Sequence, residues 1–394
     1  MTHTKLASIA LVLLLVTLAC ATEAPAAPVA EAQQQAPAEA PSGPPRSFHL
    51  GFTPFPYAIS GEAVQYVYDR IAEDADLIAH HFDNGVPWPE ALTRQKYSDH
   101  LINDWNFRKA NTPAGHKVYV AITPINIWRD DLALYWGSEE GLPVPAPWDS
   151  YSFNHPDVKT AYLNHAANVV EHFAPDYLNI GIESNLLAHG NPAEWPAYLE
   201  LHQFVYTELK ARYPDLTVLA SVSAQPLLEG YNHEYDHASQ LQALNELMPY
   251  SDIYGISIYP YLTKYLAEPY PQDMWSNLFS LNDKPIAITE TGYPAQEFTV
   301  TNENITISST SEKQAAYIQD VINQADANQL EFVINFVLRD YDDLYNEIYA
   351  QGDLDIVEIA ILWRDTGLYD ENGIPRPAWD IWQTALSRRF QELP

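Results

Sequence analysis

A single cysteine, Cys20, stands in a chain of 394 residues, so no disulfide can form within it. Basic residues are scarce: 20 Lys and Arg face 52 Asp and Glu, for a formal net charge of −32. A surface of that sign repels nucleic acid, anionic lipid and polyanionic ligands, and neutral ligands suit it better. No Gly-rich loop follows the first strand-like segment to cradle a phosphate or dinucleotide. Neither a metal nor a cofactor is therefore expected, and no nucleic-acid partner. Long apolar runs are also missing, apart from Leu6 to Ala19. Even that run falls short of the roughly 20 residues that a membrane-spanning helix wants.

What is present begins with that run. Lys5 followed by an apolar stretch has the layout of a secretory signal. Thr17-Leu18-Ala19-Cys20 resembles a bacterial lipobox, which makes residues 1–19 a lipoprotein signal peptide and Cys20 the lipidation site. Residues 20–46 are mostly Ala, Pro, Glu, Gln and Ser, too poor in large apolar groups to offset ordering entropy, and read as a flexible linker. The expected localisation is extracytoplasmic, as a bacterial membrane-anchored lipoprotein or a secreted protein. Contact with the membrane would run only through the lipid, and the folded part is expected to be a monomer.

From residue 47 to 394 short apolar runs alternate with helix-like segments in eight cycles. The runs are His49–Phe52, Asp76–His81, Lys117–Thr123, Tyr177–Glu183, Thr217–Val222, Ile253–Tyr259, Pro285–Glu290 and Phe332–Leu338. Helical segments lie between them, among them Lys159–Phe173, Trp195–Arg212 and Ser311–Asn328. Fully apolar strands alternating with helices predict a buried parallel sheet, and eight repeats favour one closed (β/α)₈ TIM barrel, an α/β single domain. An open doubly wound sheet is the rival. In a barrel the residues just past the strands gather at one mouth. Here they are polar or aromatic: Thr53-Pro54-Phe55-Pro56, His80-His81-Phe82-Asp83, Pro124 to Trp128, Glu183-Ser184-Asn185, Ser223-Ala224-Gln225, Tyr259-Pro260-Tyr261 and Glu290-Thr291.

Glu183 ends the fourth run and Glu290 the seventh, so the barrel brings both to one rim. A pair of carboxylates suits cleavage of an acetal, which needs a proton on the leaving oxygen and stabilisation of charge at the anomeric carbon. With Ile288-Thr289-Glu290-Thr291-Gly292-Tyr293-Pro294, and with Asp365-Thr366-Gly367-Leu368-Tyr369-Asp370-Glu371-Asn372-Gly373-Ile374-Pro375-Arg376-Pro377-Ala378 before the last helix, the chain resembles glycoside hydrolase clan A. These are retaining barrel glycosidases, and the arabinogalactan endo-β-1,4-galactanases of family 53 look nearest. The resemblance implies a hydrolase of β-glycosidic bonds in an oligo- or polysaccharide, with Glu290 as nucleophile and Glu183 as acid/base. The acid is then expected to have a raised pKa while the nucleophile stays ionised. The chain departs from the clan in one place, since Ile182 stands where the clan has an Asn that holds the sugar 2-hydroxyl. Either Asn185 substitutes, or the 2-position is handled differently, or the site is not catalytic. A carbohydrate-binding lipoprotein on a degenerate barrel stays open as the alternative.

Other candidates for substrate contact follow from strand ends and loops. They are His80 and His81, Asn126, Gln225 and Asp340, and the indoles of Trp88, Trp128 and Trp363, whose flat faces suit sugar C–H surfaces. Tyr259 is placed to donate to Glu290. No metal-ligand spacing flanks His80-His81. The acidic stretch Asp340-Tyr341-Asp342-Asp343 with Asp353 and Asp355 lacks the EF-hand pattern and reads as acidic turns rather than a calcium site.

Overall fold

The computed structural model describes residues 43–351 and 359–392. The signal segment, Cys20, most of the linker, Asp353 and Asp355 lie outside them. Eight parallel strands close into a barrel: β1 (His49–Phe52), β2 (Leu77–Phe82), β3 (Lys117–Ile122), β4 (Tyr177–Asn179), β5 (Thr217–Ser223), β6 (Tyr254–Ile258), β7 (Ile286–Thr291) and β10 (Phe332–Asn335). Each strand pairs with its neighbours in sequence, and β10 pairs with β1 to complete the ring. A hairpin that the sequence reading missed, β8 (Phe298–Val300) with β9 (Ile305–Ile307), projects from the connection after β7. Among the described residues no helix is long and apolar enough to cross a membrane.

Local chemistry explains the elements. The helix Gly61–Asp74 starts where the Ser60 hydroxyl accepts from the Ala63 amide, and it buries Val64, Val67, Tyr68 and Ile71 at helical spacing. The last helix, Pro377–Leu386, locks the barrel's start: Trp382 sits 4.8 Å from the Phe52 ring and donates to the Asp74 carbonyl. Arg46, assigned to the linker by composition, is buried and bonded to Asp76, so the fold begins before residue 47.

Alternation along the strands builds two cores. Ile78, Val120, Leu178, Val218 and Ile256 point outward to the helices, whereas Leu77, Ala79, Tyr119, Tyr177, Leu219 and Phe332 fill the barrel. The Phe332 ring lies 5.4 Å from Tyr119 and 4.8 Å from Tyr177. Above this apolar plug lies a polar layer of Asn179, Ser221, Thr289 and the Tyr119 hydroxyl, all buried.

Two strands end sooner than their apolar runs suggest. β4 stops at Asn179, whose side-chain oxygen takes the Gly181 amide, and β10 stops at Asn335, whose amide donates to the Val337 carbonyl. In each case a short polar side chain competes with the ladder for a main-chain partner and turns the chain.

Candidate active site

Glu183 lies four residues past the end of β4, in the left-handed region at φ 47°. Its amide donates to Ser221 Oγ at 3.0 Å and its Oε1 accepts from Ser257 Oγ at 2.8 Å. The turn below it needs Gly181, because a Cβ there would come within 2.4 Å of the Ser184 and Tyr198 hydroxyls. Glu290 reaches the mouth by a different device. Ala287 and Thr289 face the barrel interior, so strict alternation would send Glu290 out to the helices. A bulge in β7 shifts the register, pairing Ile256 with Ile288 but Ser257 with Glu290, and turns the carboxyl inward.

Both glutamates line one cleft of about 460 Å³ at the C-terminal end of the barrel. Its polar floor also includes His81, Asp83, Arg129, Ser223, Gln225 and Tyr259, and its apolar wall includes Phe55, Phe336, Tyr341 and Trp363. Tyr259 donates to Glu290 Oε1 at 2.5 Å, and Trp363 crosses Tyr259 edge-on at 5.7 Å between ring centres. Sequence reading overlooked Arg129. Its guanidinium grips Asp83 through two bonds of 3.1 and 2.8 Å and stands 3.5 Å from Glu183 Oε2. Arg129 sits in the long connection after β3, where nothing local marks it. A Cβ at Gly190 would lie 2.2 Å from its carbonyl, so that glycine admits the loop.

The electrostatics of Glu290 run against the expectation of an ionised nucleophile. Burial, and then the charge of Glu183, push Glu290 up to about 8, while the Tyr259 hydroxyl and Arg129 only partly oppose this. Glu183 has the Ser257 hydroxyl and the Arg129 charge against it. The carboxyl expected to stay ionised, Glu290, is thus the one pushed towards its protonated form. His81 Nδ1 lies 3.7 Å from Glu290 Oε2. Burial depresses its pKa to about 4, helped by Arg129 and Arg108 and opposed by Asp83, so the ring is neutral and the contact is not an ion pair near neutrality.

Of the residues expected at the sugar, Glu183, Glu290, His81, Gln225, Tyr259 and Trp363 line the cleft. The others serve elsewhere. His80 faces the helices, tilted on Phe173 and bonded to Thr112, with its pKa lowered to about 3 by burial. Trp88 is fully buried, stacks on Trp148 and donates to the Ala133 carbonyl. Asn126 ties its own loop through Asp130. Trp128 is half-buried in the same loop and is not part of the cleft wall. Asn185 has both amide protons committed, to the Ser223 carbonyl and Gln240, and its oxygen accepts from the Ser223 amide. It cannot stand in for the clan asparagine. Ile182 itself is buried against the barrel core and lines the cleft floor.

Asp340 is buried against Arg376 and the Gly367 amide. Asp340, Asp342 and Glu371 do bring carboxylate oxygens within 4.8 Å of one another, yet Arg376 and Arg364 already face the two aspartates. The letters His233-Glu234-Tyr235-Asp236-His237 match a zinc-peptidase pattern. That pattern needs both histidines on one helical face. Here His233 lies in the turn before the helix His237–Leu247, Asp236 caps that helix and His237 is its first residue, so the two do not share a helical face.

The fold, a closed (β/α)₈ barrel, is similar to those of solved clan A glycoside hydrolases, family 53 among them. The catalytic domain of an Ignisphaera aggregans family 53 (GH53) protein matches with TM-score 0.51 and 15% identity, over 82% of this chain and 88% of its own. A GH5_18 protein from Bifidobacterium longum subsp. infantis matches at 0.55 and 16%, over 88% and 80%. The exo-β-1,4-mannosidase Op5Man5 from Opitutaceae bacterium strain TAV5 matches at 0.56 and 11%, over 87% and 60%. In sequence the chain matches no protein-family profile and no curated protein. The likeness is therefore one of fold.

Proposed function

We propose that the chain is a retaining glycoside hydrolase of β-linked oligo- or polysaccharides, with Glu290 as nucleophile and Glu183 as acid/base. The observation that carries this reading is the convergence of Glu183 and Glu290, from β4 and β7, on one cleft where the charge of the first raises the pKa of the second. Two carboxyls whose charges act on each other titrate as a pair, and between the two steps one proton belongs to both. In the productive form that proton sits on Glu183. Glu290 then attacks the anomeric carbon as Glu183 protonates the departing oxygen, leaving a glycosyl ester on Glu290. Glu183, now a carboxylate, takes a proton from water, whose oxygen displaces Glu290 and releases the sugar. The tyrosine hydroxyl on Glu290 and the nearby Arg129 stabilise the ionised nucleophile that attack requires.

A neutral substrate suits the negative surface, and the half-buried Trp363 offers a flat face to a sugar ring. A related GH5_18 protein from Bifidobacterium longum was crystallised with Manβ1-4GlcNAc, which supports a β-1,4 linkage, and a galactan of the family 53 kind fits the same reading. Anchoring through Cys20 and the linker would hold the domain near a membrane surface. The second reading, saccharide binding without turnover, is favoured by Ile182 and by the proton held on Glu290.

A panel of aryl β-glycosides and β-linked polysaccharides separates the two. Hydrolysis with retained anomeric configuration, abolished in Glu290→Ala, supports the enzyme. Saccharide affinity in the parent without any product supports the binding protein.

A further inference from the structure

The carboxyl of Glu183 sits over the cleft only because its backbone is held in a conformation that side-chain-bearing residues rarely adopt, φ 47° and ψ 40°. Something must over-determine that geometry. The polar layer inside the barrel supplies it. Asn179 donates one amide proton to the Tyr119 hydroxyl at 2.9 Å and the other to Ser221 Oγ at 3.0 Å, while its oxygen accepts the Gly181 amide at 2.9 Å. Ser221 Oγ in turn accepts the Glu183 amide at 3.0 Å. The layer also reaches towards the other carboxylate, since Thr289, the residue before Glu290 on the bulged strand, is buried in the same barrel interior. All four side chains are buried, and none touches the cleft.

We infer that Asn179 and Ser221 are positioning residues for the general acid: they fix the turn that carries Glu183 and thereby its placement relative to Glu290. A buried asparagine with every donor and acceptor engaged is a rigid strut, because each bond lost leaves an unpaired polar group. This inference rests on the hydrolase reading above. Losing the strut lets Glu183 relax from the left-handed region and lowers its share in protonating the leaving group. Its charge also moves away from Glu290, so the pKa of Glu290 falls.

The test compares phenyl, 4-nitrophenyl and 2,4-dinitrophenyl β-glycosides of the sugar that the parent hydrolyses best. In Ser221→Ala, kcat/KM should fall at least tenfold more for the phenyl glycoside than for the dinitrophenyl one, whose leaving group needs no proton. The alkaline limb of its pH profile should move to lower pH. Ser221→Thr keeps the hydroxyl and should keep the parent's leaving-group dependence. Asn179→Leu should behave as Ser221→Ala, and if it does not fold the two serine variants decide alone. Equal losses on all three substrates with an unmoved pH profile, whatever the melting temperature, would reduce these residues to ordinary packing and overturn the inference while leaving the hydrolase reading intact. A parent that turns over none of the glycosides overturns both.

Discussion

Replacing Glu290 by Gln should stabilise the protein, and only at high pH. The carboxyl rises from its ordinary 4.5 to about 8 on folding, through burial and the charge of Glu183. Between those values the folded chain binds more protons than the unfolded one, so stability falls as pH rises across that window and the full penalty applies above about 8. The size of the shift corresponds to a ceiling of about 5 kcal/mol. The side chain keeps 17% exposure at the mouth, where solvent screens part of the interaction, and about 2–3 kcal/mol is the working figure. Glutamine has no charge to desolvate and still accepts from Tyr259. For the roughly 350 described residues, an unfolding entropy near 2.1 cal/mol/K per residue turns that into about 3–4 °C.

Melting curves of parent and Glu290→Gln from pH 4.5 to 9 should therefore coincide at the acid end and separate progressively towards pH 8. The exposed Glu303→Gln gives the baseline. In a Glu183→Gln background the separation should shrink, since Glu183 supplies part of the shift. A difference that stays flat across this range, or a Gln variant less stable at pH 8, would refute the electrostatic account of the pair.

Further outcomes follow from the same geometry. Glu183→Gln should lower kcat/KM by about 10²–10⁴ on substrates with poor leaving groups and far less on dinitrophenyl glycosides, as initial rates will report. Above pH 8 the parent's kcat/KM should decline, because the proton shared by the pair is lost there. Arg129→Met leaves Asp83 without its partner and should cost about 3–5 kcal/mol in urea unfolding. It should also shift the alkaline limb upward, since Arg129 acts to lower Glu290. With Ile182 on the cleft floor and Asn185 fully engaged, a 2-deoxyglycoside should be hydrolysed within about tenfold of its parent sugar. A site built around the 2-hydroxyl would reject it by about 10⁴.

The chain by itself determined the eight-fold alternation, the closed parallel barrel and the placing of Glu183 and Glu290 at its rim. Those follow from apolar periodicity and from carboxylates that interrupt it, which are local features of sequence. Tertiary structure alone decided which way the neighbouring side chains face. His80 and His81 are adjacent and alike in sequence, yet the pleat sends one to the helices and one to the cleft. Trp88, Asn185 and Asp340 have the residue types of a sugar site, but partners distant in the chain claim their polar atoms or bury their rings, and Asn126 is taken up by Asp130 in its own loop. Arg129 and Asp83 meet across 46 residues, and no local pattern announces a pairing that depends on how two loops fold over the mouth. The direction of Glu290 rests on a bulge, and that of Glu183 on a left-handed turn held by Ser221. Both are settled by hydrogen bonds between strands, which form only once the barrel closes.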